Sequence, residues 1–281
     1  GMVVARAENL FQLEKYGLGR AEFVVFAPEQ RAGLEAFLGS HQLRFSIHSP
    51  LYVPADYPEN PLLSSIIDYD DGRRRLAVGL MSDNISLAAG MVAEFVVVHT
   101  QRPEQFAGVA PGHFGGGSAM ESAMRSLDAL LAKSEAANVP VLIENIMDNS
   151  GFYSAEHYLE LLDKFPPLGF CLDVGHLDVD CRRFGLSIIE FVRALAPRTR
   201  EVHLQNSSKP GSCDSPRPWK VPVHPSQSPD CGWVDIESVL REVLAASPDC
   251  VINFEFRAEK IHGHDFILEG MQWVKGLLQE L

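Results

Sequence analysis

The sequence predicts a single-domain α/β protein that folds as a (β/α)8 TIM barrel of parallel strands. Short apolar runs rich in β-branched residues alternate with amphipathic helical segments, and the strands begin roughly 30 residues apart, which is typical of βαβ units. Six of these runs end in a His, Asp or Glu. A barrel gathers functional residues at the carboxyl ends of many strands, whereas the alternative, an open doubly wound sheet, concentrates its site at one switch point. The distribution of these residues therefore favours the barrel.

Seven strands are predicted directly from the apolar runs. They cover residues 22–26, 43–48, 94–99, 139–146, 169–173, 201–203 and 251–255. The eighth strand is expected within residues 206–232, at 220–224. The first 20 residues are expected to be an extension that contains a short helix over 9–16. On this interpretation residues 1–281 form one domain, a size that a single α/β barrel commonly has.

Helices are predicted between the strands because apolar residues recur there three and four positions apart. Leu34, Phe37 and Leu38 mark the first of them, which follows Pro28; a proline at a helix start sacrifices no hydrogen bond. A helical stretch over 73–90 comes next. Later apolar stripes run over residues 120–131, 158–162, 188–195, 236–244 and 267–278.

Composition and charge limit the functional classes. Hydrophobic residues make up 46% of the 281 residues, which is sufficient for one large core, and the net charge of −13 argues against a broad nucleic-acid surface. The five cysteines are scattered and odd in number, which predicts free thiols in a reducing compartment. No segment has the layout of a signal peptide or the roughly 20 apolar residues of a membrane span. A cytoplasmic protein without a membrane partner is expected, and an oligomer remains open.

The strand ends predict a metal site. Glu144 closes a strand expected to be buried on both faces, where a lone carboxylate is costly unless a metal ion or a partner compensates its charge. Carboxylates together with an imidazole suit a divalent ion such as Zn²⁺, Mn²⁺ or Mg²⁺, and additional imidazoles favour Zn²⁺. The other strand ends carry His48, His99, Asp173, His203 and Glu255.

Six short motifs in this order resemble the xylose isomerase-like TIM barrels. They are I-H-S-P-L-Y at 47–52, V-V-H-T at 97–100, I-E-N at 143–145, L-D-V-G-H at 172–176, V-H-L-Q-N at 202–206 and F-E-F at 254–256. That superfamily contains sugar isomerases and epimerases and also the endonuclease IV type of abasic-site nuclease (AP endonuclease family 2). The motifs cover most of the chain from about residue 22.

The resemblance implies roles for individual residues. The four-ligand metal site of the family matches Glu144, Asp173, His203 and Glu255. In the nuclease, positions matching His48 and His99 hold a second metal with Glu144. His176 and His224 match ligands of its third metal, but the remaining ligand of that metal, an Asp, is replaced by Pro222 here. One metal site is therefore expected, with room for a second, while His176 and His224 contact substrate or form a weak third site.

The resemblance and the chemistry together predict a sugar or sugar-phosphate isomerase or epimerase. Glu144 and Glu255 are expected on opposite sides of the barrel, where they would exchange a proton with substrate next to a metal-polarised carbonyl. Lys209, a loop lysine, is a candidate contact for an anionic or hydroxylated substrate. The alternatives are an endonuclease IV-like phosphodiesterase and a non-catalytic barrel that binds a metal and a ligand. The loops 49–61, 100–117 and 206–232 carry few basic residues, which argues against a nucleic-acid partner and favours a small-molecule sugar.

Overall fold

Eight parallel strands close into a barrel in the computed structural model, which confirms the predicted fold class. The model describes residues 1–58, 64–68, 70–100, 113–114, 117–147, 149, 151–208, 220–256 and 262–280. Around the barrel the strands follow the order β1-β10-β9-β8-β7-β4-β3-β2. Their bounds are β1 (Met2–Val4), β2 (Arg20–Val24), β3 (Arg44–His48), β4 (Val96–His99), β7 (Val141–Glu144), β8 (Gly169–Asp173), β9 (Thr199–Leu204) and β10 (Val251–Phe254). A separate antiparallel pair consists of β5 (His113–Phe114) and β6 (Gly117–Ser118).

The prediction of the eighth strand was wrong. The missing strand is β1, which closes the barrel by pairing with both β2 and β10, and the strand predicted first is in fact the second. Residues 220–224 contribute only an isolated antiparallel bridge between Val221 and Asn206. A proline follows at position 222, and its missing N–H cannot extend a strand ladder. The expected N-terminal extension therefore begins with a barrel strand, followed by the short helix α1 (Phe11–Lys15).

The helices of the described residues surround the barrel. They are α1 (Phe11–Lys15), α2 (Arg31–Ser40), α3 (Asp71–Met91), α4 (Ala119–Ala137), α5 (Ala155–Lys164), α6 (Val174–Phe184), α7 (Ile188–Leu195), α8 (Ile236–Ala246) and α9 (His264–Glu280). Asp70, Ser187 and Asp235 cap three of them by accepting a hydrogen bond from a first-turn N–H. None of the helices in the described ranges is both long enough and apolar enough to cross a bilayer.

Alternation along the strands separates an outer and an inner set of side chains. The large core lies between the strands and the helices and includes Phe23, Ile47 and Ile143. Phe95, Val97, Leu142 and Cys171 form a second, smaller apolar cluster. These four residues precede His99, Glu144 and Asp173 by two or four positions, so they share the inner face of the barrel with them. The inner apolar cluster therefore lies below the strand ends that carry the predicted ligands. The four cysteines in the described ranges are free thiols.

Candidate metal centre

The barrel brings the six predicted ligands to one end. His48, His99, Glu144 and Asp173 are the last residues of their strands. The remaining two come from the neighbouring strands β9 and β10: His203 is the penultimate residue of β9, and Glu255 directly follows β10. Because all strands are parallel, their carboxyl ends form one rim, and residues far apart in sequence meet there.

Glu144, Asp173, His203 and Glu255 form a compact group of donor atoms. One ligand atom from each lies within 4.8 Å of the others. His203 Nδ1 is 3.3 Å from Glu144 Oε1 and 3.6 Å from Glu255 Oε2. His203 Nδ1 and Glu255 Oε2 are buried, and neither has a hydrogen bond to any residue that the structure describes. Orphaned buried polar atoms of this kind are costly without a partner, and a divalent ion among three carboxylates and an imidazole would satisfy them.

A second group of donor atoms shares Glu144. His48 Nε2 and His99 Nε2 each lie 3.0 Å from Glu144 Oε2 and 3.0 Å from one another. Three ligand atoms around a zinc ion at about 2.0–2.1 Å would be separated by roughly 3.3 Å in a tetrahedral site, close to this arrangement. Glu144 thus turns Oε1 toward the first group and Oε2 toward the second, and it is the residue common to both.

Hydrogen bonds fix Asp173 in place. Its Oδ1 accepts a hydrogen bond from the backbone N–H of His176 at 2.6 Å, which caps α6, and its Oδ2 accepts one from Gln205 Nε2 at 2.6 Å. The side chain of Asn145 donates to the Asp173 carbonyl at 2.9 Å and accepts from the Asp173 N–H at 2.8 Å. Asn145 and Gln205 were not predicted as site residues. The available signal was their position directly after the strand ends, within I-E-N and V-H-L-Q-N.

The ionisable groups of the site shift one another's pKa values. Burial alone would raise the pKa of Glu144, but His203, His99 and His176 outweigh it and lower that pKa well below its ordinary value. Burial would lower the pKa of His203, yet neighbouring Cys171 and the carboxylates around the ring raise it well above the usual range. For His99, burial prevails and lowers the pKa. The imidazoles therefore favour the ionised form of Glu144, and the surrounding carboxylates favour the protonated form of His203.

The three candidate substrate contacts have different surroundings. His176 lies in the site: its Nδ1 is 3.4 Å from Glu144 Oε1 and 3.1 Å from the Asn145 carbonyl oxygen. The contacts of His224 are directed to α9, where its ring stacks on Phe266 at 3.9 Å and Nε2 lies 3.3 Å from Glu269. Lys209 lies outside the described residues.

Lys220 is a site residue that sequence reasoning missed as such. It forms an ion pair with Glu255 Oε1, and both side chains are largely buried. Its backbone is left-handed, with a φ of 55°, a region that a residue other than glycine adopts only at some energetic cost. Such strain is commonly found at functional sites, where surrounding contacts maintain it.

The expectation that Glu144 and Glu255 lie on opposite sides of the barrel was wrong in detail. β7 and β10 are separated by β8 and β9, so the two residues are three strand positions apart in a ring of eight. The predicted strand at 220–224 would have placed a further strand between them, but these residues form only an isolated bridge. Both carboxylates approach the same nitrogen of His203, Nδ1, at 3.3 and 3.6 Å.

The sequence matches the model of the xylose isomerase-like TIM barrel family over residues 11–277. The chain belongs to this family. The match includes the strand ends that carry the six predicted ligands, whereas β1 precedes it. It agrees with the resemblance that the six motifs indicated. A search among curated proteins gives no match.

Three solved structures share the fold. A D-tagatose 3-epimerase-like protein superposes with a TM-score of 0.69 at 15% identity, covering 100% of this chain and 98% of that one. An L-ribulose 3-epimerase gives 0.68 at 12%, covering 99% and 94%. The TTHB071 protein from Thermus thermophilus, in a structure soaked with ZnCl2, gives 0.61 at 18%, covering 100% and 98%. At sequence identities this low, the superpositions show that the fold is shared and nothing further.

Proposed function

We propose that this xylose isomerase-like barrel is a metal-dependent isomerase or epimerase of a sugar or sugar phosphate. The observation that carries the proposal is the convergence of Glu144, Asp173, His203 and Glu255 within 4.8 Å at the carboxyl end of the barrel. The fold is shared with an epimerase-like protein and an epimerase of ketoses, and with a protein soaked with zinc chloride, which supports this class of substrate and ion.

The donor set suits a Zn²⁺ or Mn²⁺ ion, with Mg²⁺ as a further candidate. A bound ion of this kind acts as a Lewis acid that polarises a substrate carbonyl. Asp173 and His203 would hold it between the two glutamates. The pair His48 and His99, together with Glu144 Oε2, offers a second position.

Glu144 and Glu255 are assigned the proton transfers. Polarisation of the carbonyl acidifies the hydrogen on the neighbouring carbon, and an ionised carboxylate on one side removes it while a carboxylic acid on the other side returns it. Glu144 is ionised in the metal-free protein because three imidazoles surround it. Glu255 contacts Lys220 through Oε1, so this ammonium group orients the carboxylate for its part in the transfer.

Proton exchange in D2O tests the proposal. Protein loaded with Mn²⁺ or Zn²⁺ is incubated with a panel of ketoses and ketose phosphates, and NMR follows loss of the hydrogen next to the carbonyl. We expect exchange for at least one ketose, abolished by chelation and reduced about 100-fold or more by Glu255→Gln. Metal binding without exchange across the panel would instead support a non-catalytic barrel that binds a metal and a ligand.

A phosphodiesterase of the endonuclease IV type is the second candidate. The second group, His48, His99 and Glu144, favours it because two neighbouring ions can activate water and stabilise a leaving oxygen. Metal analysis of the wild-type protein and of His99→Ala would count the ions. Incubation with a duplex containing an abasic site would then test the activity. Efficient metal-dependent incision that disappears in Glu255→Gln would overturn the isomerase proposal.

A further inference from the structure

A buried polar contact lies directly beneath the candidate metal centre. Glu22, on β2, is fully buried, and its Oε1 lies 2.8 Å from Nε2 of His203. The opposite nitrogen of the same ring, Nδ1, is the atom that faces Glu144 and Glu255. The imidazole therefore lies between a carboxylate inside the barrel and the donor atoms at its mouth.

We propose that Glu22 is a positioning residue that keeps the proton of neutral His203 on Nε2 and thereby leaves the Nδ1 lone pair for a metal ion. The inference rests on the proposed metal centre. A histidine ligand needs one nitrogen unprotonated and aimed at the ion, and a carboxylate that accepts a hydrogen bond from the other nitrogen fixes both the tautomer and the ring orientation. In this role Glu22 acts through His203.

The surroundings of Glu22 leave it little freedom. Ser46, on the adjacent strand, donates a hydrogen bond to Glu22 Oε2 at 3.1 Å. Glu22 Oε1 and His203 Nε2 are both enclosed and lie 2.8 Å apart, and neither atom forms a hydrogen bond of regular geometry within the part of the chain that the structure describes. His48 stacks on the His203 ring at 5.7 Å between centroids, with a 20° angle between the planes. These contacts restrict rotation of the His203 ring.

A second buried carboxylate provides a comparison. Glu201, two residues before His203 on β9, is also fully buried, but its Oε2 is 3.8 Å from the same nitrogen. Asn253 donates a hydrogen bond to the other oxygen of Glu201. Because Glu201 lies a full ångström farther away, we assign the positioning role to Glu22 and use Glu201 as the matched control.

The test compares zinc affinity in wild type, Glu22→Gln and Glu201→Gln by competition with a chromophoric chelator. Gln differs from Glu by one group and can donate its amide hydrogen to Nε2. The imidazole proton would then lie on Nδ1, the nitrogen whose lone pair must be free to bind the metal ion. Loss of such an outer contact typically costs about 10–100-fold in metal affinity. We expect a loss of this size in Glu22→Gln and a change below about threefold in Glu201→Gln.

Nitrogen NMR of histidine-labelled, zinc-loaded protein gives a second readout. In wild type we expect the His203 signals of a protonated Nε2 and a metal-bound Nδ1; in Glu22→Gln the metal-bound Nδ1 signal should weaken at equal zinc concentration. Thermal unfolding of each metal-free variant checks folding. If Glu22→Gln does not fold, Glu22→Asp repeats the test, because the shorter side chain withdraws the carboxylate from the ring.

The outcomes separate the two proposals. Wild-type protein that binds no zinc would remove the proposed metal centre itself. Wild-type protein that binds zinc, with equal affinity in Glu22→Gln or an equal loss in both variants, would overturn the role of Glu22 and leave the metal centre in place.

Discussion

Lys220 and Glu255 form an ion pair at the mouth of the barrel, with exposed side-chain fractions of 17% and 14%. The pair joins the segment after β9 to the end of β10, the two strands that supply His203 and Glu255. An ammonium group in contact with Glu255 lowers the negative potential that would attract a divalent ion to the proposed metal centre. Lys220 and a bound metal ion would therefore compete for interaction with the carboxylate of Glu255.

Replacing Lys220 by methionine should raise metal affinity. Methionine keeps much of the length of the side chain and removes its charge, so the repulsion between ammonium and ion disappears. Partial exposure screens that repulsion, and we expect a gain of roughly threefold to tenfold, on the scale of one charge pair near a protein surface. Titration with Mn²⁺ measures it. Lys220→Arg, which retains the charge, is the control; a gain of the same size there would contradict the electrostatic explanation.

Substitution of Glu144 by glutamine should remove most of the bound metal. Its two oxygens face the two groups of donor atoms separately, so one neutral amide weakens both. Metal analysis after loading and desalting should find less than about one-tenth of the wild-type content, since even the loss of a contact outside the ligand shell costs about 10–100-fold in affinity. Glu160→Gln makes the same chemical change at an exposed position of α5 and should retain full metal content. Full occupancy in Glu144→Gln would remove this assignment.

Metal binding should release a proton and strengthen with pH. The pKa of His203 is raised well above its ordinary value, so the metal-free imidazole carries a proton at neutral pH that an ion must displace. Affinity should therefore rise by about tenfold per pH unit below that raised pKa and level off above it, for one proton displaced. Calorimetry in buffers with different ionisation enthalpies counts the protons released. A flat affinity between about pH 6 and 8 would contradict the protonated state.

The gathering of carboxylates and imidazoles at one end of the barrel could be predicted from sequence because each follows a short apolar run, and parallel strands bring such ends to one rim. Asp173 and Glu255 needed no tertiary information beyond this rule. β1 could not be recognised in the same way, because Met2–Val4 is only three residues long and ends without a polar residue. Its place in the barrel depends on the strands β2 and β10 on either side of it, which lie far apart in the sequence.

Contacts across the barrel could not be predicted from the sequence either. Glu22 resembles an ordinary strand residue, and only closure of the barrel brings it to His203. His224 shows another such contact: its ring stacks on Phe266 of α9 at 3.9 Å between centroids, which its motif position did not indicate. Packing between elements that are distant in the sequence determines such contacts, and the spacing of residues along the sequence does not predict this packing.

The last prediction concerns the close approach of Gly175 and Gln205. A Cβ added at Gly175 would lie 2.6 Å from Cδ of Gln205, the residue that donates a hydrogen bond to Asp173. Gly175→Ala should therefore displace Gln205, lower the free energy of unfolding by about 1–3 kcal/mol through overpacking, and weaken metal binding. Gly79→Ala, in α3 with no atom within 4 Å of the added Cβ, is the control and should leave stability unchanged or slightly higher.

A double-mutant cycle with Gln205→Ala separates the clash from other effects of the methyl group. Shortening Gln205 removes the atoms that the new Cβ would meet, so Gly175→Ala should cost little stability in that background. The two single changes should then sum to more destabilisation than the double variant shows, by about 0.5–3 kcal/mol, as expected for residues in contact. Chemical denaturation of the four metal-free proteins measures the cycle. Strict additivity would mean that Gly175 is required for a reason other than its approach to Gln205.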